Sequence, residues 1–178
     1  MESSNRRVGG IISLGTQLCK LLQEHTSVDQ KLSQLVCALE SIVNALNILS
    51  HVIAEDDRET KDRVLNERGI KEASTLLDKC NGNFRSITAL VSSAEGRTVL
   101  AAVDEFIDRL EKLATNSTKD TEDVEVRLDV TVHIEQLSRP WKAAKIEKHL
   151  NDLDHLNLSL LLFLAVVDLA KKKKITAE

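Results

Sequence analysis

Between Val28 and Glu55, the residues Leu32, Leu35, Leu39, Ile42, Leu46, Leu49 and Ile53 follow one another at intervals of 3, 4, 3, 4, 3 and 4. No other feature constrains the fold as much. Alternating steps of three and four place all these side chains on one face of an α-helix. A helix that carries such a face over about 40 Å must bury it against other helices. Val36, Val43 and Val52 widen the seam beyond that of a two-stranded coiled coil, toward the broader stripe of a bundle helix. A third helix, from Glu59 or Asn66 to Ser93, repeats the spacing in Ile70, Ala73, Leu77, Cys80, Phe84, Ile87 and Val91. The charged stretch Glu55-Asp56-Asp57-Arg58-Glu59 between the two reads as a solvated turn. Matching seams joined by a turn predict that these helices pack side by side, seam to seam. Gly82 costs about 1 kcal/mol relative to Ala inside a helix, so its presence predicts a kink or a close helix approach.

The rest of the chain continues in the same way. A first helix from Val8 to His25 turns Ile11, Leu14, Leu18 and Leu21 to one side, with Ile12, Cys19 and Leu22 beside them. A fourth, from Thr98 to Ala114, carries Val99, Val103, Phe106, Leu110 and Leu113. Residues 115–121 are polar and read as a loop. Thr121 to Leu137 fits two patterns. Val124, Val126, Leu128, Val130, Val132 and Ile134 alternate as in a strand, while Val126, Val130, Ile134 and Leu137 also share a helix face. A strand needs a partner, and no second strand segment is found. This favours helix; a strand would pair with another chain or form a local hairpin. Pro140 opens the last helix at a position where its missing N–H costs nothing. Ile146, Leu150, Leu153, Leu156, Leu160 and Phe163 carry its stripe to Ala170. With one Pro and six Gly in 178 residues there are few helix breakers. The expectation is a single all-α domain over residues 1–178, a bundle of five to six helices with heptad-like packing of the long ones. Residues 1–7 are a flexible N-terminus and 171–178 a basic tail.

Nothing in the chain has the pattern of a catalytic or cofactor site. It lacks a Gly-rich phosphate loop with Lys-Ser/Thr, a GxSxG elbow and an HExxH pair. Three Phe, one Trp and no Tyr leave little of the aromatic lining that small-molecule pockets use. His149 or His155 with Asp152 could share a helix face, yet surface histidines explain them better than a metal site. Asp56-Asp57 and Asp120-Glu122-Asp123 read as solvated turns rather than acid/base pairs. Cys19, Cys37 and Cys80 show no CxxC spacing and read as free thiols of a reducing, cytoplasmic compartment. Cys80 lies on a seam position and should be the most buried, while Cys37 falls between seam positions and should react first.

Net charge is −4, with nine acids against four bases from Asp104 to Asp129. That balance does not favour nucleic acid. The basic end Lys171-Lys172-Lys173-Lys174 suits the negative end of a helix dipole, an anionic membrane surface or a nuclear-import address. Trp141 reads as a core cap or as a recognition residue. The longest apolar run, Leu158 to Val167, is short of the roughly 20 residues a spanning helix needs, so membrane association is expected to be peripheral.

The segment Gly10-Ile11-Ile12-Ser13-Leu14-Gly15-Thr16-Gln17-Leu18-Cys19 resembles the opening of the helical N-terminal domains of fungal NLR-like (STAND) proteins. These include the HeLo-like and SesA-like groups and a group named from azaphilone-pigment clusters. Trp141, Lys142 and Lys145, followed by Ile146, Leu150, Leu153, Leu156, Leu160 and Leu162, resemble the family's closing helix. Ile70 to Leu90, around Cys80, is similar to its middle helix. The resemblance implies a signalling or self-association module with protein partners, homo-oligomeric, and for HeLo-like members membrane-directed cell death. In those members the first helix is the membrane-active element, here Val8, Gly9, Gly10, Ile11, Ile12 and Leu14. If the first and last helices are neighbours, as the resemblance suggests, Arg6 and Arg7 join Lys171 to Lys174 on one anionic surface. The opening Glu2-Ser3-Ser4-Asn5-Arg6-Arg7 departs from the apolar start usual in HeLo-like chains. The pigment-cluster name also keeps open a helical protein whose apolar cavity binds or converts a lipid or polyketide-like molecule. Neither reading invokes a resident cofactor or metal.

Overall fold

In a computed structural model, the residues described are 2–24, 30–58, 64–92, 96–115, 128 and 140–175. They form five helices: α1 (Glu2–Gln23), α2 (Gln30–Arg58), α3 (Glu67–Val91), α4 (Gly96–Thr115) and α5 (Pro140–Ile175). There is no strand ladder among the described residues, so the chain is an all-α bundle. The segment with two readings, 121–137, lies outside the described residues except for Leu128, which is buried.

The α2 seam is the centre of the core. Leu32, Leu35, Leu39, Ile42, Leu46 and Leu49 are fully buried, and only Ile53 at the end is partly open. The α3 seam is buried from Ala73 to Val91, while its first member, Ile70, is exposed at the helix start. Yet the two seams do not face each other as neighbours. α2 packs along α1 and α5, and α3 packs along α1, α5 and α4; α2 and α3 share no extended interface. The ring order is therefore α1, α2, α5, α3, with α2 diagonal to α3 and α1 diagonal to α5. Both expected pairings, α2 with α3 and α1 with α5, are corrected by this arrangement. The physical reason is that a 3–4 seam specifies only that a face is buried. In a four-membered ring each seam points at the central axis, where all four meet, and adjacency is set by connections and edge contacts.

Edge contacts fix the directions. Lys31 pairs with Glu147 at one end and Lys171 with Glu55 at the other, so α2 and α5 run parallel. Arg7 pairs with Asp78, and Gly15 lies against Phe84, so α1 and α3 also run parallel. α4 lies outside the ring against α1 and α3. Arg85 Nη1 on α3 reaches Asp104 on α4 at 2.6 Å.

Several boundaries differ from the sequence reading. α1 begins at Glu2, inside the stretch expected to be flexible, and α5 carries the basic tail as helix through to Ile175. α2 continues through the acidic stretch to Arg58. Asp56 is buried there rather than solvated. Its Oδ1 accepts from the Val64 N–H at 2.5 Å and the Leu65 N–H at 3.2 Å, holding the entry to α3 against the end of α2. Asn66 then caps α3, its side chain accepting from the Gly69 N–H at 2.8 Å. The close approach sits at Gly15, not Gly82. A Cβ on Gly15 would stand 2.6 Å from Val43 Cγ2 and 2.7 Å from Phe84 Cε2, whereas one on Gly82 would meet nothing within 4 Å.

Candidate interaction surface

α5 buries one face and exposes another that is equally apolar. Ile146, Leu153, Leu156, Leu160, Phe163 and Val167 point into the core. Leu158, Leu161, Leu162, Val166 and Leu169 point outward, with exposures from 48% to 68%. Among the described residues seven large apolar side chains are exposed, and these are five of them. The other two, Ile48 and Ile70, are on separate helices. Single exposed apolar side chains are ordinary, but a contiguous cluster marks a contact surface. The cluster exists because Leu160 to Val167 contains no polar residue, so both faces of two helical turns are apolar. The sequence reading followed the inward stripe through this run and missed the outward one. The unbroken run itself was the available signal, since a half-buried helix interrupts its apolar residues with polar ones.

Charged groups frame the patch. Asp154 and His155 stand exposed one turn before Leu158. Beyond Leu169, Lys172 Nζ pairs with Asp168 at 2.7 Å and Lys171 Nζ with Glu55 at 2.6 Å. Lys171 and Lys172 are thus engaged in ion pairs within the bundle, and Lys173 is likewise not without a partner. Lys173 is exposed, and the Lys174 side chain lies outside the described residues, as does that of Trp141.

The residues of the first helix that the resemblance marks as membrane-active are mostly interior. Val8, Ile11 and Leu14 are buried in the core, Gly10 faces Ile107 of α4, Ile12 is partly buried, and Gly9 is exposed. Inserting them into lipid would require α1 to leave the bundle. By length and mean hydropathy the segments Gln30–Asp56 of α2 and Lys142–Lys173 of α5 could each cross a bilayer, a test that core helices of soluble bundles also pass. For α2 the seam burial accounts for the apolarity; for α5 half of it faces outward.

Among the described residues no group of three His, Cys, Asp or Glu could hold a metal ion. A polar groove of about 500 Å³ runs between α3 and α5, lined by Lys79, Asn83, Lys148, His149 and Asp152 among others. His149 Nδ1 is buried there without a partner. Burial pushes its pKa below the usual histidine value, the nearby Asp152 opposes the shift, and Lys148 and Lys145 add to it. The Ser159 hydroxyl in this groove donates to the His155 carbonyl at 2.8 Å, a helix-internal bond. His51 and His155 are exposed, while His25 and His133 lie outside the described residues. A second cleft, of about 380 Å³, opens where the start of α3 meets α1 and α2, with Ile53, Leu65, Ile70 and Leu77 on its walls and Arg7 and Lys71 at its edge.

The three cysteines are free thiols, with Cys19 and Cys80 buried and Cys37 exposed. Burial pushes both Cys19 and Cys80 up to about 12, with Glu40 adding to the shift at Cys19. The expected order of accessibility therefore agrees with their placement.

Comparison of the chain with protein families, curated proteins and solved structures finds no match.

Proposed function

We propose that this chain is a helical interaction module that works by docking through the outer face of α5, in a signalling or assembly role of the kind its resemblance to fungal NLR-like N-terminal domains implies. The observation that carries the reading is the cluster Leu158, Leu161, Leu162, Val166 and Leu169 on a helix whose opposite face is already satisfied by the core. Keeping about three turns of apolar surface in water is unfavourable, at about 25 cal/mol for each Å² left exposed. A fold that keeps such a face has a use for it. The module would act in the cytoplasm, and any membrane contact would be peripheral.

The test is site-specific photo-crosslinking of the full chain in its native cell, with the probe at Leu162 and, as control, at Ile48, an isolated exposed apolar position. Discrete adducts at Leu162 and none at Ile48 support the reading. Equal labelling at both positions, or none at either, sinks it.

The cleft beside Arg7 and Lys71 supports a second reading. Its apolar walls suit a lipid or polyketide-like molecule, with Arg7 and Lys71 at its edge beside the carboxylates Asp56 and Glu67, and its volume is at the lower end for small-molecule pockets, about 300–1,000 Å³. Native mass spectrometry of the purified chain separates the two. A stoichiometric small-molecule adduct favours the cleft, and adduct-free protein favours the α5 surface.

A further inference from the structure

We infer that the furrow between α3 and α5 is a docking site for an amphipathic helix of a partner protein, apolar on one face and carrying carboxylates along its flanks. The inference rests on the interaction reading above and names the kind of partner and where it sits.

The first argument is shape. The polar groove described above continues, past Lys79 and Ser159, into a more apolar stretch of about 780 Å³. Together the two follow α3 from Val64 to Ser86 and α5, in the opposite direction, from Ala170 to Lys148. Along either wall that is 22 residue steps, about 33 Å at 1.5 Å each. Leu76, Phe163 and Val167 form the floor of the apolar half, and the exposed Leu162 and Val166 stand on its α5 side. The α3 wall is low. Thr75 and Ser86 are small, and a Cβ on Gly82 would meet nothing within 4 Å. A long open furrow of this kind fits a rod-like segment, and an amphipathic helix lays its apolar face into such a groove. A bilayer is flat and meets the crests of helices rather than the floor between them. Its hydrocarbon would also leave the polar half, with Asn83, Ser86 and Asp152, without hydrogen-bond partners.

The second argument is charge. The furrow holds Arg68, Lys71, Lys79 and Lys148 against Glu72 and Asp152, four bases to two acids, so its balance is +2 on a chain whose net charge is −4. Among the described residues none of these four bases is in an ion pair, whereas Arg7, Lys31, Arg85 and Lys171 all are. A surface of this sign selects a partner with acidic flanks. The bundle already holds one helix in the same manner. α4 lies outside the ring against α1 and α3, buries Val103 and Phe106, and sets Asp104 against Arg85 of α3 at 2.6 Å. The furrow on the α5 side of α3 offers the same combination, an apolar floor beside a cationic α3 flank, and no described helix lies in it.

The experiment is fluorescence polarisation of the full chain with labelled synthetic peptides of about 20 residues, matched to the furrow at 1.5 Å per residue. One peptide carries leucines on one helix face and glutamates on both flanks, the second has lysines for those glutamates, and the third is a scrambled form of the first. The acidic peptide should bind, and the other two should bind about tenfold or more weakly. Lys79→Glu should raise the Kd of the acidic peptide by about tenfold and lower that of the basic one, a reversal that a merely structural role would not produce. Val166→Asp should weaken the acidic peptide as well. Leu158→Asp, on the outer crest of α5 and outside the furrow, should leave its Kd unchanged. Lys79, Val166 and Leu158 are all exposed, so unchanged melting temperatures separate lost binding from lost folding. Equal Kd values for acidic and basic peptides, or indifference to Lys79→Glu, would overturn the inference. Binding that responds to Leu158→Asp and not to Lys79→Glu would end the furrow as the site and leave the outer face of α5 as the contact. Binding to vesicles of phosphatidylcholine and phosphatidylserine, lost with Lys79→Glu, in the absence of any peptide binding would replace the helix by a lipid surface. Binding to neither peptide nor vesicle would overturn the inference, and the crosslinking at Leu162 then decides the interaction reading separately.

Discussion

Gly15 and Gly82 separate two uses of glycine in a helix. At Gly15 the missing side chain lets α1 approach α2 and α3 together, with Val43 and Phe84 both inside the space a methyl would need. Phe84 is fully buried and Val43 nearly so, and neither has room to retreat in a packed core. Gly15→Ala should therefore destabilise by about 1–3 kcal/mol. Gly82→Ala meets open space and removes glycine's backbone entropy from a helix interior, so it should stabilise by about 0.5–1 kcal/mol. Urea denaturation of both variants checks the opposite signs; equal signs would mean that the α1 approach is wrongly placed. The cysteines give a second residue-scale measurement. With Cys19 and Cys80 buried and pushed up to about 12 by that burial, thiol reagent should label Cys37 alone in the native protein and all three after unfolding. Fast labelling of Cys80 before unfolding would contradict the α3 register.

At the scale of elements, periodicity made the buried faces of α2, α3 and α5 legible, and it did so almost residue by residue. What it could not convey was neighbourhood. The same seam serves for any partner helix, so the diagonal placement of α2 and α3 depended on where α1 and α5 were threaded between them. The acidic end of α2 was misread for a related reason. A charged residue looks solvated in sequence, whereas Asp56 is buried because two backbone N–H donors at the entry to α3 need an acceptor. Leu39→Asp tests the α2 seam. A carboxylate at this fully buried position has no designed partner and should cost several kcal/mol, seen as a large fall in melting temperature. Leu158→Asp, on the outer face of α5, should leave the dilute-solution melting temperature nearly unchanged. Similar losses for the two would remove the distinction between inner and outer apolar faces. The groove between α3 and α5 adds a pH dependence. Burial lowers the His149 pKa, so the folded state resists a proton that the unfolded chain accepts near 6.5. Its contribution is fully present above that unfolded value and is lost as pH falls from there toward the lowered folded value. Wild type should lose stability below about pH 6.5 relative to His149→Gln, which titrates nothing in that range. Parallel stability curves from pH 8 to 5 would show that His149 is not coupled to folding.

For the whole molecule, association and stability are one equilibrium. A partner that binds only the folded chain stabilises it by mass action, and when the partner is a second copy the effect grows with protein concentration. If the exposed face of α5 docks on a second copy, the melting temperature of wild type should rise steadily as concentration is raised, and that of Leu162→Asp should stay flat. At the dilute limit the two should meet, because Leu162 contributes its exposed side chain to the interface and little to the core. Salt supplies a further distinction. A contact made through Leu158, Leu161, Leu162, Val166 and Leu169 is apolar. Raising ionic strength screens charges and leaves an apolar contact in place, so the slope of melting temperature against concentration should be nearly unchanged. A slope abolished by salt would mean that the association is electrostatic and belongs to the lysine end of α5 rather than to its leucines. A flat wild-type curve, identical to that of Leu162→Asp, would mean that the folded monomer is the end state in solution.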